Sequence, residues 1–372
     1  MLNPFKKTDG AATVTEAQVL QALRAVEDPD LHRDIVSLGF VKNLRIDGGA
    51  VAFDIELTTP ACPVKDQLQA AARARVAALP GVTQVVVDMK AMVRAPEAPA
   101  GQVLQSVKHT IAVGSGKGGV GKSTVAVNLS LALSAAGARV GLLDADIYGP
   151  SIPTMFAIGG RPRVTPEQKI LPLEKSGLKL MSMGFVAGED TPVIMRGPMV
   201  ANLMKQFLSF VEWGELDYLV IDLPPGTGDV QLTLTQTVAL TGAVIATTPQ
   251  EVSLIDARKA LKMFEKVSVP VLGIVENMSY FECGHCHQRT NIFRTGGGQR
   301  TAQQLGVPFL GGVPIDPGLV EASDLGQPYF LEHPESPAAV AFRQIAGQVA
   351  AQLSILAMRE HAGPQNLTLE WK

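Results

Sequence analysis

The chain has 372 residues, 46% hydrophobic and 18% charged, with a formal net charge of −3; that length allows two or three domains, and the weak charge argues against a protein built chiefly to coat nucleic acid. Three cysteines are too few for a disulfide framework and fit a reducing compartment. Met1–Lys7 carries neither the apolar run of a signal peptide nor an Arg- and Ser-rich transit pattern, and no apolar run reaches the ~20 residues of a membrane span, so a soluble cytoplasmic protein is expected.

In chain order, residues 1–90 read as a small α+β domain. Ala17–Glu27 has helical spacing, Phe40–Ile46 and Val51–Leu57 alternate as strands around the turn Asp47-Gly48-Gly49, Pro63–Leu79 reads as a helix, and Val82–Met89 as a strand. Pro63 suits a first helical position, which puts Cys62 near a helix N-terminus, where its thiolate is favoured; a half-buried structural cysteine is the alternative. Residues 91–106 are rich in Pro, Ala and Gly and read as a linker. Residues 107–372 alternate strands with helices, which predicts an α/β domain with a mostly parallel sheet.

That domain opens on Thr110–Val113, an apolar strand, and then Gly116-Lys117-Gly118-Gly119-Val120-Gly121-Lys122-Ser123-Thr124. Val125, Leu129 and Leu133 follow at helical spacing, with Gly137 as the stop. A Gly-rich loop between strand and helix is the context of a phosphate-binding loop: inward N–H groups and the helix N-terminus hold phosphate, Lys122 reaches the β- and γ-phosphates, and Ser123 offers its hydroxyl to Mg²⁺. Arg139–Leu143 is a strand ending in Asp144-Ala145-Asp146, at the ligand edge of such a sheet. Asp144 can act through a water of the Mg²⁺ shell, and Asp146 can orient or deprotonate an attacking water; capping the next helix is the structural alternative for both. Met181, Met183 and Met195 read as core, and Arg196 as a phosphate, interface or solvated arginine.

Tyr218–Asp222 is a second strand ending in aspartate, and Asp222 is the expected second half of the Mg²⁺ site. The Pro- and Gly-rich Leu223–Asp229 that follows reads as a γ-phosphate-sensitive switch. Further strands are expected at Ala243–Thr248, Val271–Glu276 and Phe309–Val313. Asn277 ends the second of these, where its amide can pair with adenine or cap a turn. Cys283-Gly284-His285-Cys286-His287 has three readings: half a zinc site, a redox pair, or half of a cluster shared between two chains.

The loop with its second lysine resembles the deviant phosphate loop of the family that includes partition ATPases, the septum-site ATPase, nitrogenase iron protein and the Mrp iron–sulfur carriers. Asp144–Ser151, Met181–Phe185, Met195–Pro198 and Asp222–Asp229 resemble the Mrp-type ATPases in particular. Asp28–Leu31, Ile35–Gly39 and Thr58–Pro63 resemble the small domain often fused ahead of them, which also occurs alone in iron–sulfur assembly. The resemblance implies a low-turnover ATPase that binds ATP and Mg²⁺ and forms a homodimer in which Lys117 reaches the partner's phosphates. It supports Asn277 on the base and Cys62 as an auxiliary cluster or metal contact. A twofold axis then turns Cys283 and Cys286 into four thiolates for a 4Fe–4S cluster, received from a scaffold or donor protein and passed to apoproteins. A partition or positioning ATPase acting on DNA or membrane, and a zinc-stabilised scaffold, are the alternatives. The polar tail Glu360–Lys372 lacks a membrane-gripping basic amphipathic helix, so neither a nucleic acid nor a membrane partner is expected.

Overall fold

A computed structural model describes residues 14–95, 104, 106–147, 149–185 and 197–361. Tyr148, Met195, Arg196, most of the Pro/Ala-rich stretch after Ala95 and the tail after His361 lie outside the described residues. The chain divides into two compact units between Val93 and Arg94.

In the first unit, α1 (Glu16–Leu23) starts on a capping box, in which Thr15 and Gln18 satisfy each other's backbone N–H. It stops short of the expected Glu27 because the chain leaves the helix to pair β1 (Glu27–Asp28) with β2 (Arg33–Asp34). β3 (Val41–Asp47) and β4 (Ala50–Leu57) form the expected hairpin, and β5 (Gln84–Ala91) joins β4 in parallel after α2 (Lys65–Ala77). Val51, Phe53, Ile55 and Leu57 alternate into the core together with Val19 and Leu23 of α1 and Leu68, Ala72 and Val76 of α2. The N-cap of α2 is Val64, so Pro63 lies ahead of the helix rather than on its first turn.

The second unit is built on an eight-stranded sheet, introduced here in chain order. β6 (Val107–Gly114) leads through the Gly-rich loop into α3 (Lys122–Ala135), and β7 (Val140–Asp144) is followed by the short α4 (Ile152–Met155). β8 (Leu173–Lys175) and β9 (Leu178–Ser182) form a hairpin that the sequence reading did not contain. α5 (Gly197–Phe210), β10 (Leu216–Asp222), α6 (Asp229–Thr237), β11 (Gly242–Thr247), α7 (Glu251–Lys266) and β12 (Val271–Glu276) then alternate. A small hairpin, β13 (Phe281–Glu282) with β14 (Arg289–Thr290), interrupts the alternation before α8 (Gly297–Leu305) and β15 (Phe309–Gly312). The chain ends in α9 (Pro317–Leu325), α10 (Tyr329–Glu332) and α11 (Pro337–His361).

Strand order is β15-β12-β11-β6-β10-β7-β9-β8, and only the β8–β9 pair is antiparallel. The central strands are apolar on both faces, as Ile111, Val113, Leu142, Leu143, Val220, Ile221 and Ile245 are all buried, because helices cover both sides of a parallel sheet. α3 is buried nearly all round, from Val125 to Leu133, which fits a helix held in the interior between sheet and helix. The order places β6, β10 and β7 side by side, so the Gly-rich loop, Asp222 and Asp144 leave the sheet at neighbouring strand ends. Among the described residues no helix is long and apolar enough to cross a membrane.

Candidate functional site

The loop between β6 and α3 is shaped by backbone contacts. Gly121, the residue before α3, has φ +78°, and a Cβ there would lie 2.0 Å from the Asn277 amide nitrogen. Gly116 passes so close to α7 that a Cβ would meet the Asp256 carbonyl at 2.1 Å. The loop is locked from two further directions: Asn277 Nδ2 donates to the Val120 carbonyl at 2.9 Å, and the Gly226 N–H donates to the Ser115 carbonyl at 3.0 Å. Gly226 belongs to the Pro/Gly segment after Asp222, so that segment and the loop touch directly.

Lys122 is buried, with its ammonium 2.6 Å from Asp222 Oδ1 and 4.0 Å from Asp146 Oδ2. The Ser123 hydroxyl donates to Asp222 Oδ2 at 2.6 Å. Asp222 is fully buried; burial pushes its carboxyl up, and Lys122 and Ser123 pull against that. Asp144, also fully buried, accepts from the backbone N–H groups of Asp146 and Ile152 and from the Ser182 hydroxyl. Burial first, and then the charge of Asp222, push its carboxyl up to about 7. Three carboxylates and one ammonium thus share a buried site, the arrangement that a divalent cation and phosphates would rebalance.

A cavity of about 780 Å³ opens above this cluster, a size for a nucleotide. Lys117, Gly118, Gly119, Lys122, Ser123, Thr124 and Asp146 line one part of it. Asn277, Met278, Pro314, Ile315 and Leu319 line another, and Ile292 and Phe293 complete the wall. The sequence reading therefore found the charged floor; it missed Met278, Ile292, Phe293 and Leu319. Those apolar side chains carry no motif, and only the crossing of β12, the hairpin segment and α9 brings them together.

Cys283 and Cys286 stand at the tip of the β13–β14 hairpin, Cys283 half-buried and Cys286 exposed. The tip is a tight turn: Cys283 N–H donates to the Gln288 carbonyl at 3.0 Å and His287 N–H to the Cys283 carbonyl at 2.9 Å. The backbone N–H groups of Cys286 and His285, and then the Cys286 side chain, hydrogen-bond the Cys283 sulfur and hold its thiol below the ordinary range. Such a thiol is poised to bind a soft metal as thiolate. The His287 side chain is largely exposed, 3.9 Å from Glu282, and among the described residues no three His, Cys, Asp or Glu side chains gather to hold a metal ion. One chain therefore offers two thiols.

Cys62 is half-buried, as in the structural alternative of the sequence reading, and not a helix-end thiolate. It belongs to the first unit, outside the helical turn, and burial, with Asp28 and Asp30 adding to it, pushes its thiol up to about 11 despite a hydrogen bond from Val64. The thiolate is disfavoured there, because desolvation outweighs a helix end that begins only at Val64.

Comparison with known proteins agrees with this geometry. A family described as the iron-sulfur cluster assembly protein matches residues 16–87. An iron-sulfur cluster carrier protein of Deinococcus radiodurans is 49% identical over 344 residues, covering 92% of this chain and 97% of that protein. A chloroplastic Fe-S cluster assembly factor of Arabidopsis thaliana is also 49% identical, over 92% of this chain and 65% of its own length. Among solved structures, a nucleotide-binding protein of Archaeoglobus fulgidus in complex with ADP is 43% identical, with a TM-score of 0.56 over 63% of this chain and 92% of that one. The septum site-determining protein of Pyrococcus horikoshii, complexed with Mg-ADP, shares the fold at 23% identity and a TM-score of 0.50, over 64% of this chain and 94% of that one. The model of the NUBPL iron-transfer P-loop NTPases matches residues 106–350, two-thirds of the chain, and with the phosphate loop, the paired strand-end aspartates and the exposed thiol hairpin in place, this chain belongs to that family.

Proposed function

We propose that this protein is an ATP-binding and slowly ATP-hydrolysing carrier that takes up an iron–sulfur cluster, a 4Fe–4S cube, and delivers it to apoproteins. The observation that carries the reading is the hairpin tip: two thiols per chain, one with its sulfur already accepting backbone N–H groups, beside a domain built for nucleotide. Two thiolates are half the usual set for such a cluster, and a homodimer supplies the rest. The reducing cytoplasm, which keeps thiols free, is the compartment that suits this cargo.

Each loop residue has a task in this reading. The N–H groups of Gly116 to Thr124 surround the phosphates, and Lys122 leaves Asp222 for the β- and γ-oxygens. The Ser123 hydroxyl and Asp222 would then be free to hold Mg²⁺, which would neutralise developing phosphate charge. Asp144 would act on that ion through a water, and Asp146 would align the attacking water. Lys117 reaches the phosphates of the partner subunit, and Asn277 presents the remaining edge of its amide to adenine. Cys62, the auxiliary ligand that the resemblance implied, would have to give up its proton against burial and the charges of Asp28 and Asp30.

The test is anaerobic reconstitution of the full-length protein. Iron and sulfide are expected at about four each per dimer, a brown chromophore is expected with them, and Cys283→Ala should lose both the chromophore and delivery to an acceptor apoprotein. Zinc in place of iron, or normal delivery by the alanine variant, would sink the carrier reading.

A further inference from the structure

Glu276 ends β12 beside Asn277 and is 1% exposed. A carboxylate removed from water must find donors. Ser279 Oγ donates to Oε1 at 2.5 Å, Gly296 N–H to Oε1 at 3.1 Å, and Gly298 N–H to Oε2 at 2.5 Å. No cation pairs with it among the described residues.

The positions of these donors are informative. Ser279 precedes the thiol hairpin, and Gly296 and Gly298 follow it. One side chain therefore closes the neck of the excursion 280–295 that carries Cys283 and Cys286. The outgoing limb is also fixed, since Ser279 N–H donates to the Val313 carbonyl at 2.9 Å and Ile315 N–H to the Tyr280 carbonyl at 2.6 Å. Gly298 sits so close that a Cβ there would lie 2.9 Å from Glu276 Cβ.

The same excursion reaches the nucleotide cavity. Ile292 and Phe293, on its return limb, form part of the cavity wall, and so does Ile315, which holds its outgoing limb. Asn277, next to Glu276, grips the phosphate loop at Val120. Two adjacent residues at one strand end thus hold the two sites, one each.

We propose that Glu276 is a positioning residue that couples nucleotide occupancy to the thiol hairpin, with the excursion 280–295 pivoting about its carboxylate when nucleotide fills the cavity against Ile292 and Phe293. The functional meaning of this coupling rests on the two cysteines being the cargo site. The physical content does not: a closed neck and a limb in the cavity wall form a contiguous element that both sites bias.

The experiment reads the hairpin directly. Cys283 and Cys286 are alkylated with iodoacetamide in metal-free, full-length protein, with and without Mg-ATP, and followed by mass spectrometry. Mg-ATP should change the wild-type rate by about fivefold or more, the lower end of ordinary coupling between sites. Glu276→Gln keeps the volume but sets an amide N–H₂ against the Gly296 or Gly298 N–H, and its rate ratio should fall to about one while Mg-ATP still binds in calorimetry. Ser279→Ala, which removes one donor, should show an intermediate ratio and serves where the glutamine variant does not fold. A purely structural role would shift both rates together and leave the ratio intact. A wild-type ratio in either folded variant, or no nucleotide effect on the wild type, overturns the coupling. Normal coupling in a protein that never takes up iron would uphold this inference and sink the carrier reading alone.

Discussion

His109 shows at the scale of one residue how burial sets a pH response. It begins the apolar part of β6, is 2% exposed, and its ring lies 5.8 Å from that of Tyr218, stacked at 19°. Burial pulls its imidazole down to about 4, against a hydrogen bond to the Arg94 backbone. The folded state keeps it neutral while the unfolded chain takes up a proton near 6.5, so its contribution to stability is present above that pH and is lost as pH falls toward 4. The gap corresponds to on the order of 3 kcal/mol. Urea unfolding of His109→Phe between pH 7 and pH 4.5 should therefore show a shallower loss of stability than the wild type; parallel curves would refute the argument. Lys122 and Asp222 follow a different rule. Their buried pair at 2.6 Å is held by mutual charge, and removal of one partner from such a pair costs roughly 3–5 kcal/mol. Lys122 can leave it without that cost only for another anion, and the proposed phosphate would be such an anion.

Among the elements, the loop from Gly116 to Gly121 carries most of the geometry. Gly121 combines a left-handed backbone with the contact to Asn277, so Gly121→Ala strains the loop and pushes the amide off Val120. The backbone alone should cost about 1–2 kcal/mol. Thermal unfolding should show that loss together with weaker ATP binding in calorimetry, and a variant that melts and binds like the wild type would mean the loop is softer than described. The β13–β14 hairpin is the opposite kind of element. It is two residues on each strand, and its rigidity comes from its ends: the backbone bonds of Ser279 and Ile315 and the donors around Glu276. A small hairpin is marginal by itself, which leaves its geometry open to whatever occupies the neighbouring cavity.

At the scale of the molecule, the division between Val93 and Arg94 separates two cores. Every residue assigned to nucleotide, and both hairpin cysteines, belong to the second unit, whose sheet buries its own strands on both faces. A chain lacking Met1–Val93 should therefore fold and bind ATP within about threefold of the full-length affinity, since every described residue that lines the cavity belongs to the second unit. Calorimetry on both proteins checks this, and a loss of binding on truncation would show that the first unit contributes to the site.

The floor of the site was legible in the sequence because local chemistry dictates it. Glycines between an apolar strand and a helix, a Lys-Ser pair at the helix start, and aspartates at strand ends occupy fixed places relative to their own elements, and a parallel sheet gathers such ends on one edge. The helix and strand pattern of the first unit was legible for the same reason, through its hairpin turn and its alternating β4. What the sequence alone left open depended on non-local packing. The hairpin of β8 and β9 is short: β8 is three residues at the sheet edge and β9 is buried at four of its five positions, so neither strand shows a clear alternation. Beside burial, the charges of Asp28 and Asp30, distant in the chain, raise the Cys62 thiol, and spacing beside a helix does not reveal them. Glu276 looked like the last residue of an apolar run, and Ile292 and Phe293 belong to no motif. Their roles arise only when β12, the cysteine excursion and α9 converge, because a carboxylate's partners and a cavity's walls are set by three-dimensional neighbours.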